Sequence, residues 1–202
     1  LLSTGASSEK EIKFAIKNLQ FFKKLKIVLM HCILNYPTQD KDANLLMINH
    51  LKKKFKNFAI GYSDHTLPSE SMLNISIAYT LGANVIEKHF TLNKKKYGND
   101  HYHSMDPKDL KKIVGNINKI IKIKGKSTNK KFIPPEIISR KNARRGIFLK
   151  KIVKKNNILS NKNLITLRPN SGVPAEQWTK ILNKKVNKDL EVGHNLKWSD
   201  IK

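Results

Sequence analysis

Ala59-Ile60-Gly61-Tyr62-Ser63-Asp64-His65-Thr66 and Asn84-Val85-Ile86-Glu87-Lys88-His89-Phe90-Thr91 decide how this chain is read. Each opens with a short apolar run and closes in a polar cluster containing a histidine, the pattern of a buried strand that ends at a sheet edge. Between them, residues 70–81 carry a helical pattern closed by Gly82, so the whole stretch is predicted to be a βαβ unit. Parallel strands place their carboxyl ends on one edge. His65 and His89 are therefore expected at the same rim, where two imidazoles could share a metal ion. A second reading stays open on spacing alone, in which each is a hydrogen-bonding residue at a strand end, because zinc sites usually show three or four protein ligands.

Working outward, the pattern repeats. Leu1-Leu2-Ser3-Thr4-Gly5 reads as a strand end, with Ser7 or Ser8 as helix N-cap and Glu11 as the acidic residue of a capping box. Ile12, Ala15, Ile16, Leu19 and Phe22 recur at helical spacing, predicting an amphipathic helix over 9–24. Ile27 to Met30 is a continuous apolar run, as in a strand buried on both faces, and ends in His31-Cys32. A turn at Asn35-Tyr36-Pro37-Thr38 leads to a helix predicted over 42–55, and a last helix is expected over 107–123. Alternating strands and helices predict a parallel sheet with helices outside it. Four strands make half of a (β/α)₈ barrel, so the expectation is that further strands precede Leu1.

Composition excludes several classes. One cysteine, Cys32, permits no internal disulfide and suits a reducing compartment, so a cytoplasmic protein is expected. No apolar run approaches the roughly 20 residues of a membrane span, so no membrane partner is expected. The formal charge of +25 raises the question of nucleic acid. Of the 40 basic residues, however, only Arg140, Arg144, Arg145 and Arg168 are arginine, and lysine is spread over nearly every segment. Base-reading surfaces favour the arginine fork, so nucleic acid is not expected, whereas an anionic small substrate would be drawn by the field. Beyond residues 125–136, a Lys/Ser/Pro-containing linker, the texture changes to short segments that predict a small, loop-rich α+β module over 137–202.

An ordered set of residues runs nearly the length of the chain: Leu2-Ser3-Thr4-Gly5, His31-Cys32, Tyr36-Pro37-Thr38, Gly61 to Thr66, Gly82, Glu87 to Thr91, Asp100-His101, Ser104-Met105 and Pro107. After the linker come Asn163-Leu164, Arg168-Pro169 and Gly172. This set resembles the sialic acid synthase family, whose members join phosphoenolpyruvate to an amino sugar. The resemblance implies an α/β fold: the C-terminal half of a (β/α)₈ TIM barrel over 1–124, then a linker and an SAF (antifreeze-like) domain over 137–202. It implies a divalent metal, Mn²⁺ or Mg²⁺, on His65 and His89, and catalytic roles for those two and for Glu87 as a proton carrier. Ser3 and Ser63 match residues that bind phosphoenolpyruvate. Tyr36 and Asp100 match sugar contacts, and Arg168 matches an arginine reaching the N-acyl group in the partner subunit of a domain-swapped homodimer.

The chain also departs from the family pattern. Leu34 stands where many members have Asn or Ser, and Asn170 and Asn183 replace expected glycines. An acid and two phosphate-binding lysines of the first half-barrel are missing, so this chain alone is expected to be inactive. Two alternatives accompany the N-acylmannosamine reading. One is a legionaminate- or pseudaminate-type synthase acting on a diacetylated trideoxy sugar; the other is an inactive scaffold serving as a carbohydrate-binding module.

Overall fold

The computed structural model describes residues 1–20, 26–98 and 100–202. The chain divides into two compact units, Leu1–Lys126 and Ser127–Lys202. The first holds four parallel strands in chain order, β1 (Leu2–Ser3), β2 (Val28–His31), β3 (Ala59–Asp64) and β4 (Val85–Lys88). Helices α1 (Glu9–Gln20), α2 (Met47–Lys54) and α3 (Leu73–Leu81) connect them in turn, and α4 (Pro107–Lys124) follows β4. Consecutive parallel strands lying side by side with intervening helices are the succession found in a (β/α)₈ barrel.

Register assigns every strand residue to a face. Leu2 pairs with Leu29 and Leu29 with Ile60, while His31 pairs with Tyr62 and Tyr62 with Ile86. These rows look toward the helices and build a core with Ile12, Ile16, Ile48, Leu51 and Ile75. The alternate rows look the other way: Ser3, Met30, Gly61 and Val85, then Ser63 beside Glu87, and next His65 and His89 just past the strand ends. Gly61 is required where Met30 crosses the inner face, since a Cβ there would collide with the Met30 side chain and lie 2.9 Å from the Val85 carbonyl oxygen.

Local signals explain most boundaries. Ser8 and Glu11 cap α1 reciprocally, with the Ser8 amide donating to Glu11 Oε2 at 2.7 Å. Gly82 ends α3 in the left-handed region at φ 104°, and Asp106 with Asp109 forms a capping box on α4. Phe22 and the last residues of the helix expected over 9–24 lie outside the described residues. The helix expected over 42–55 begins only at Met47. Asn44 at φ 44° interrupts it, and the Ala43 carbonyl instead accepts from His31 Nε2 at 2.9 Å. Likewise the helix expected from residue 70 begins at Leu73, because Met72, buried in the core, sits at φ 50°. Strands β3 and β4 run further than their apolar residues, because Ser63 pairs with Glu87 and Asp64 with Lys88.

The second unit contains α5 (Ile137–Ala143), an antiparallel pair β5 (Gly146–Leu149) and β6 (Leu164–Leu167), and α6 (Trp178–Ile181). Ten buried apolar residues, including Ile147, Leu149, Leu159, Val186 and Leu196, form its own core. Isolated bridges such as Val153 to Leu190 and Ile158 to Lys185 tie its loops together. Asn183 sits at φ 66°, the left-handed conformation that a short amide side chain tolerates in place of glycine. No helix among the described residues is long and apolar enough to cross a membrane.

Candidate functional site

Period-two alternation separates a structural network from a chemical one at the carboxyl ends of β3 and β4. On the helix side, Asp64 Oδ1 accepts from the Tyr62 hydroxyl (2.9 Å), the Thr66 amide (3.0 Å) and the Thr66 hydroxyl (2.7 Å). Lys88 Nζ donates to Asp64 Oδ2 at 2.8 Å and to the Thr66 carbonyl at 2.6 Å. Both charged side chains are buried, 2% and 1% exposed, and each finds a full set of partners. Burial and the adjacent carboxylate push the Tyr62 phenol up, so it stays a donor. This network clamps the loop that carries His65 to the strand that carries His89.

On the opposite face, His65 Nδ1 lies 2.8 Å from the Ile33 carbonyl oxygen, an acceptor that places a proton on Nδ1. The His65 and His89 rings meet edge to face with centroids 5.4 Å apart. Tyr36, placed by a turn with a cis bond to Pro37, lays its ring 4.3 Å from that of His65 and 6.0 Å from that of His89. The Thr38 amide, donating to the His65 carbonyl at 2.8 Å, holds that turn in place. Ser63 Oγ donates to Glu87 Oε1 at 2.8 Å and stands 3.5 Å from His65 Nε2. Ser3 is exposed on β1. Thus His65, His89, Tyr36, Ser63 and Glu87 are brought together, with Ser3 farther along the same face.

Asp100 enters from the loop after β4. That loop returns to pair beside the strand end: the Met105 amide donates to the His89 carbonyl and the Thr91 amide to that of Met105, both at 2.9 Å. Asp100 Oδ2 then lies 3.7 Å from His89 Nδ1, and Asp100 Oδ1 lies 3.6 Å from Nε2 of His103. His103 carries no pattern that marks it in the sequence. It is 1% exposed, its ring centroid lies 5.1 Å from that of His89, and neither ring nitrogen has a hydrogen-bond partner. Burial, reinforced by the neighbouring His89, holds its pKa below the ordinary imidazole value. The signal available in the sequence was its place three residues after Asp100 in a loop following a rim histidine.

The donors fit a divalent cation. Donor atoms of His89, Asp100 and His103 lie within 4.8 Å of one another, and His103 is a buried imidazole whose nitrogens are orphaned without one. His31 and Cys32, by contrast, are structural. Burial lowers the His31 pKa against a raising hydrogen bond to Ala43, and burial pushes the Cys32 thiol up. Arg168 is exposed in the second unit, joined to Pro169 by a cis bond. A cavity of about 800 Å³ lies between α1 and α2 and contains none of the rim imidazoles His65, His89 or His103.

Residues 1–129 match the NeuB family and residues 144–202 match the SAF domain. The chain is 41% identical over 201 residues to an uncharacterized protein of Methanocaldococcus jannaschii, covering 100% of this chain and 58% of that protein. It is 35% identical over 205 residues to the N,N'-diacetyllegionaminic acid synthase of Legionella pneumophila, covering 100% of this chain and 56% of the synthase. A crystal structure of N-acetylneuraminic acid (sialic acid) synthetase from Leptospira borgpetersenii, in complex with citrate, aligns with a TM-score of 0.59 and 37% identity, covering 68% of this chain and 46% of that one. The chain spans little more than half the length of the curated relatives it matches. With the family match taking in well over half of its residues, the chain belongs to the NeuB family and carries an SAF domain.

Proposed function

We propose that this chain is the metal-bearing, sugar-facing part of a nonulosonic acid synthase. The reaction is the condensation of phosphoenolpyruvate with an N-acylated mannosamine-type sugar. The observation that carries this reading is the convergence of His65, His89 and Tyr36 with the Ser63–Glu87 pair on one face at the carboxyl ends of parallel strands. Membership of the NeuB family and the names of its relatives supply the reaction class.

In this reaction, C3 of the enol forms a bond to the aldehyde carbon of the open-chain sugar. The aldehyde oxygen takes up a proton, water adds at C2, and phosphate leaves with its C–O bond broken. His65 and His89 would hold Mn²⁺ or Mg²⁺, which supplies Lewis acidity toward the aldehyde. Ser63 and Ser3 bind the carboxylate or phosphate of phosphoenolpyruvate. Glu87, within hydrogen-bond reach of Ser63, carries the proton to the new alkoxide. Tyr36 and Asp100 hold sugar hydroxyls, and Arg168 reaches the N-acyl group in a domain-swapped homodimer. The excess of basic over acidic residues, 40 against 15, draws the anionic phosphoenolpyruvate inward.

A diacetylated trideoxy sugar is favoured as acceptor by one feature. Leu34, 56% exposed, presents apolar surface two residues before Tyr36, where a sugar with fewer hydroxyls loses less hydration. The test is phosphate release from phosphoenolpyruvate with Mn²⁺ and either sugar, for this chain and for the product of its natural reading frame. Turnover by the latter, lowered at least about 100-fold by His89→Ala, is expected. Absence of phosphate release with both sugars from both proteins would overturn the proposal.

A further inference from the structure

We propose that the second unit carries an anion site built on Arg140, Arg144 and Arg145, whose ligand is a small molecule bearing two linked phosphates. The site is separate from the rim histidines and independent of the synthase reading.

Three observations carry the inference. The first lies in the sequence. Of the 40 basic residues only four are arginine, and three of those four fall within residues 140–145. A guanidinium presents a planar fork that grips phosphate oxygens in pairs, which an ammonium cannot do, so a chain otherwise committed to lysine has gathered its forks in one place. The second is geometric. Two adjoining cavities, of about 380 and 220 Å³, share Arg144, Asn170, Pro174 and Glu176 as walls; Arg140 and Lys141 line the larger and Arg145 the smaller. Glu176 is the single acid among these residues, and its Oε2 lies 3.6 Å from Arg144 Nη1. Two basic concavities that share one arginine suit two phosphates joined through one oxygen better than a lone ion. The third is that the forks are already held. Arg140 lies over the Phe132 ring, 4.6 Å from its centroid, Arg144 is turned toward Glu176, and Arg145 Nη1 donates to the Thr166 carbonyl at 3.4 Å. Each is anchored by one contact, and a guanidinium has five N–H donors, so most remain for a ligand. Asn170, on the wall common to both cavities, has its Oδ1 buried without a hydrogen-bond partner. Arg168, two residues earlier, lines neither cavity.

The test is calorimetric titration of the whole chain, metal-free and in about 150 mM salt, with pyrophosphate and with orthophosphate. One pyrophosphate per chain is expected, bound at least about tenfold more tightly than orthophosphate. In a ¹H–¹⁵N spectrum the four arginines give few enough Nε–H signals to assign, and those of Arg140 and Arg144 should move as pyrophosphate saturates. Because a charge of +25 attracts any anion, two double variants separate the site from the field. Arg140→Lys with Arg144→Lys keeps the charge but removes the forks, and should weaken pyrophosphate at least about tenfold. Lys111→Gln with Lys112→Gln removes two charges from α4, in the first unit, and should change affinity by less than about twofold. All four side chains are exposed, so each variant should keep the far-UV dichroism of the unsubstituted protein. Equal binding of the two anions, unchanged affinity in the arginine variant, an equal loss in the lysine variant, or shifts that spare Arg140 and Arg144 would overturn the inference. No turnover is read, so the result stands or falls apart from the synthase reading.

Discussion

Lys88 and Asp64 stand next to the catalytic candidates in sequence yet face away from them. Their ion pair is buried and hydrogen-bonded on both sides, and its value lies in the partner that would be stranded by its loss. Lys88→Met should lower the unfolding free energy by about 3 kcal/mol, because the buried Asp64 carboxyl would lose its only cation, and urea denaturation would show it. An unchanged midpoint would mean that the pair is not buried in solution. In the second unit, Asp200 is fully buried. Burial raises its carboxyl, but Lys188 Nζ and His194 Nε2 at 2.7 Å and the Lys197 amide at 2.9 Å outweigh burial and hold it at about 2. The folded value lies below the ordinary 3.8, so the stabilisation is complete above that pH and is lost as pH falls toward 2. Discounting for the exposed Lys188, it is on the order of 1 kcal/mol. Melting of the second unit between pH 4 and 2 should be less pH-dependent in Asp200→Asn than in the unsubstituted protein.

At the scale of the element, β3 is where packing leaves least freedom. Gly61 lies under Met30 and against the Val85 carbonyl, so Gly61→Ala should spread β2, β3 and β4 and cost about 1–3 kcal/mol. Because the strand delivers both Ser63 and His65, any metal affinity should fall with stability, a coupling that calorimetry on the same variant would detect. Helix α1 offers a milder case. Ser8→Ala removes one half of its capping box and should cost about 1 kcal/mol in chemical denaturation, with no change at the rim. The capping pairs and Gly82 were legible because each acts within a few residues. The late starts of α2 and α3 were not, since residues Asn44 and Met72 take left-handed backbone for reasons set by distant partners: His31 bonds the Ala43 carbonyl, and the core takes the Met72 side chain.

The whole molecule is two units with separate cores, joined near residues 126–127. Residues 121–145 are all exposed, and 128–133 lie in no helix or strand. Limited trypsin digestion should therefore cut first at Lys126, Lys130 or Lys131, leaving each core intact; early cuts within α4 instead would contradict this division.

The sequence by itself determined the order of strands and helices, the pairing of a histidine with each of two strand ends, and the family. Those properties depend on local periodicity, on capping and on short ordered motifs, all of which are written in neighbouring residues. Tertiary structure alone decided which polar residues share a face. Strand register put Asp64 and Lys88 toward the helices and Ser63, Glu87, His65 and His89 toward the opposite side. It also decided the environment of His103, whose burial arises only because a loop of more than ten residues folds back to pair beside His89. A side chain's partners across such a loop depend on long-range hydrogen bonds and packing, and no spacing rule along the chain encodes them.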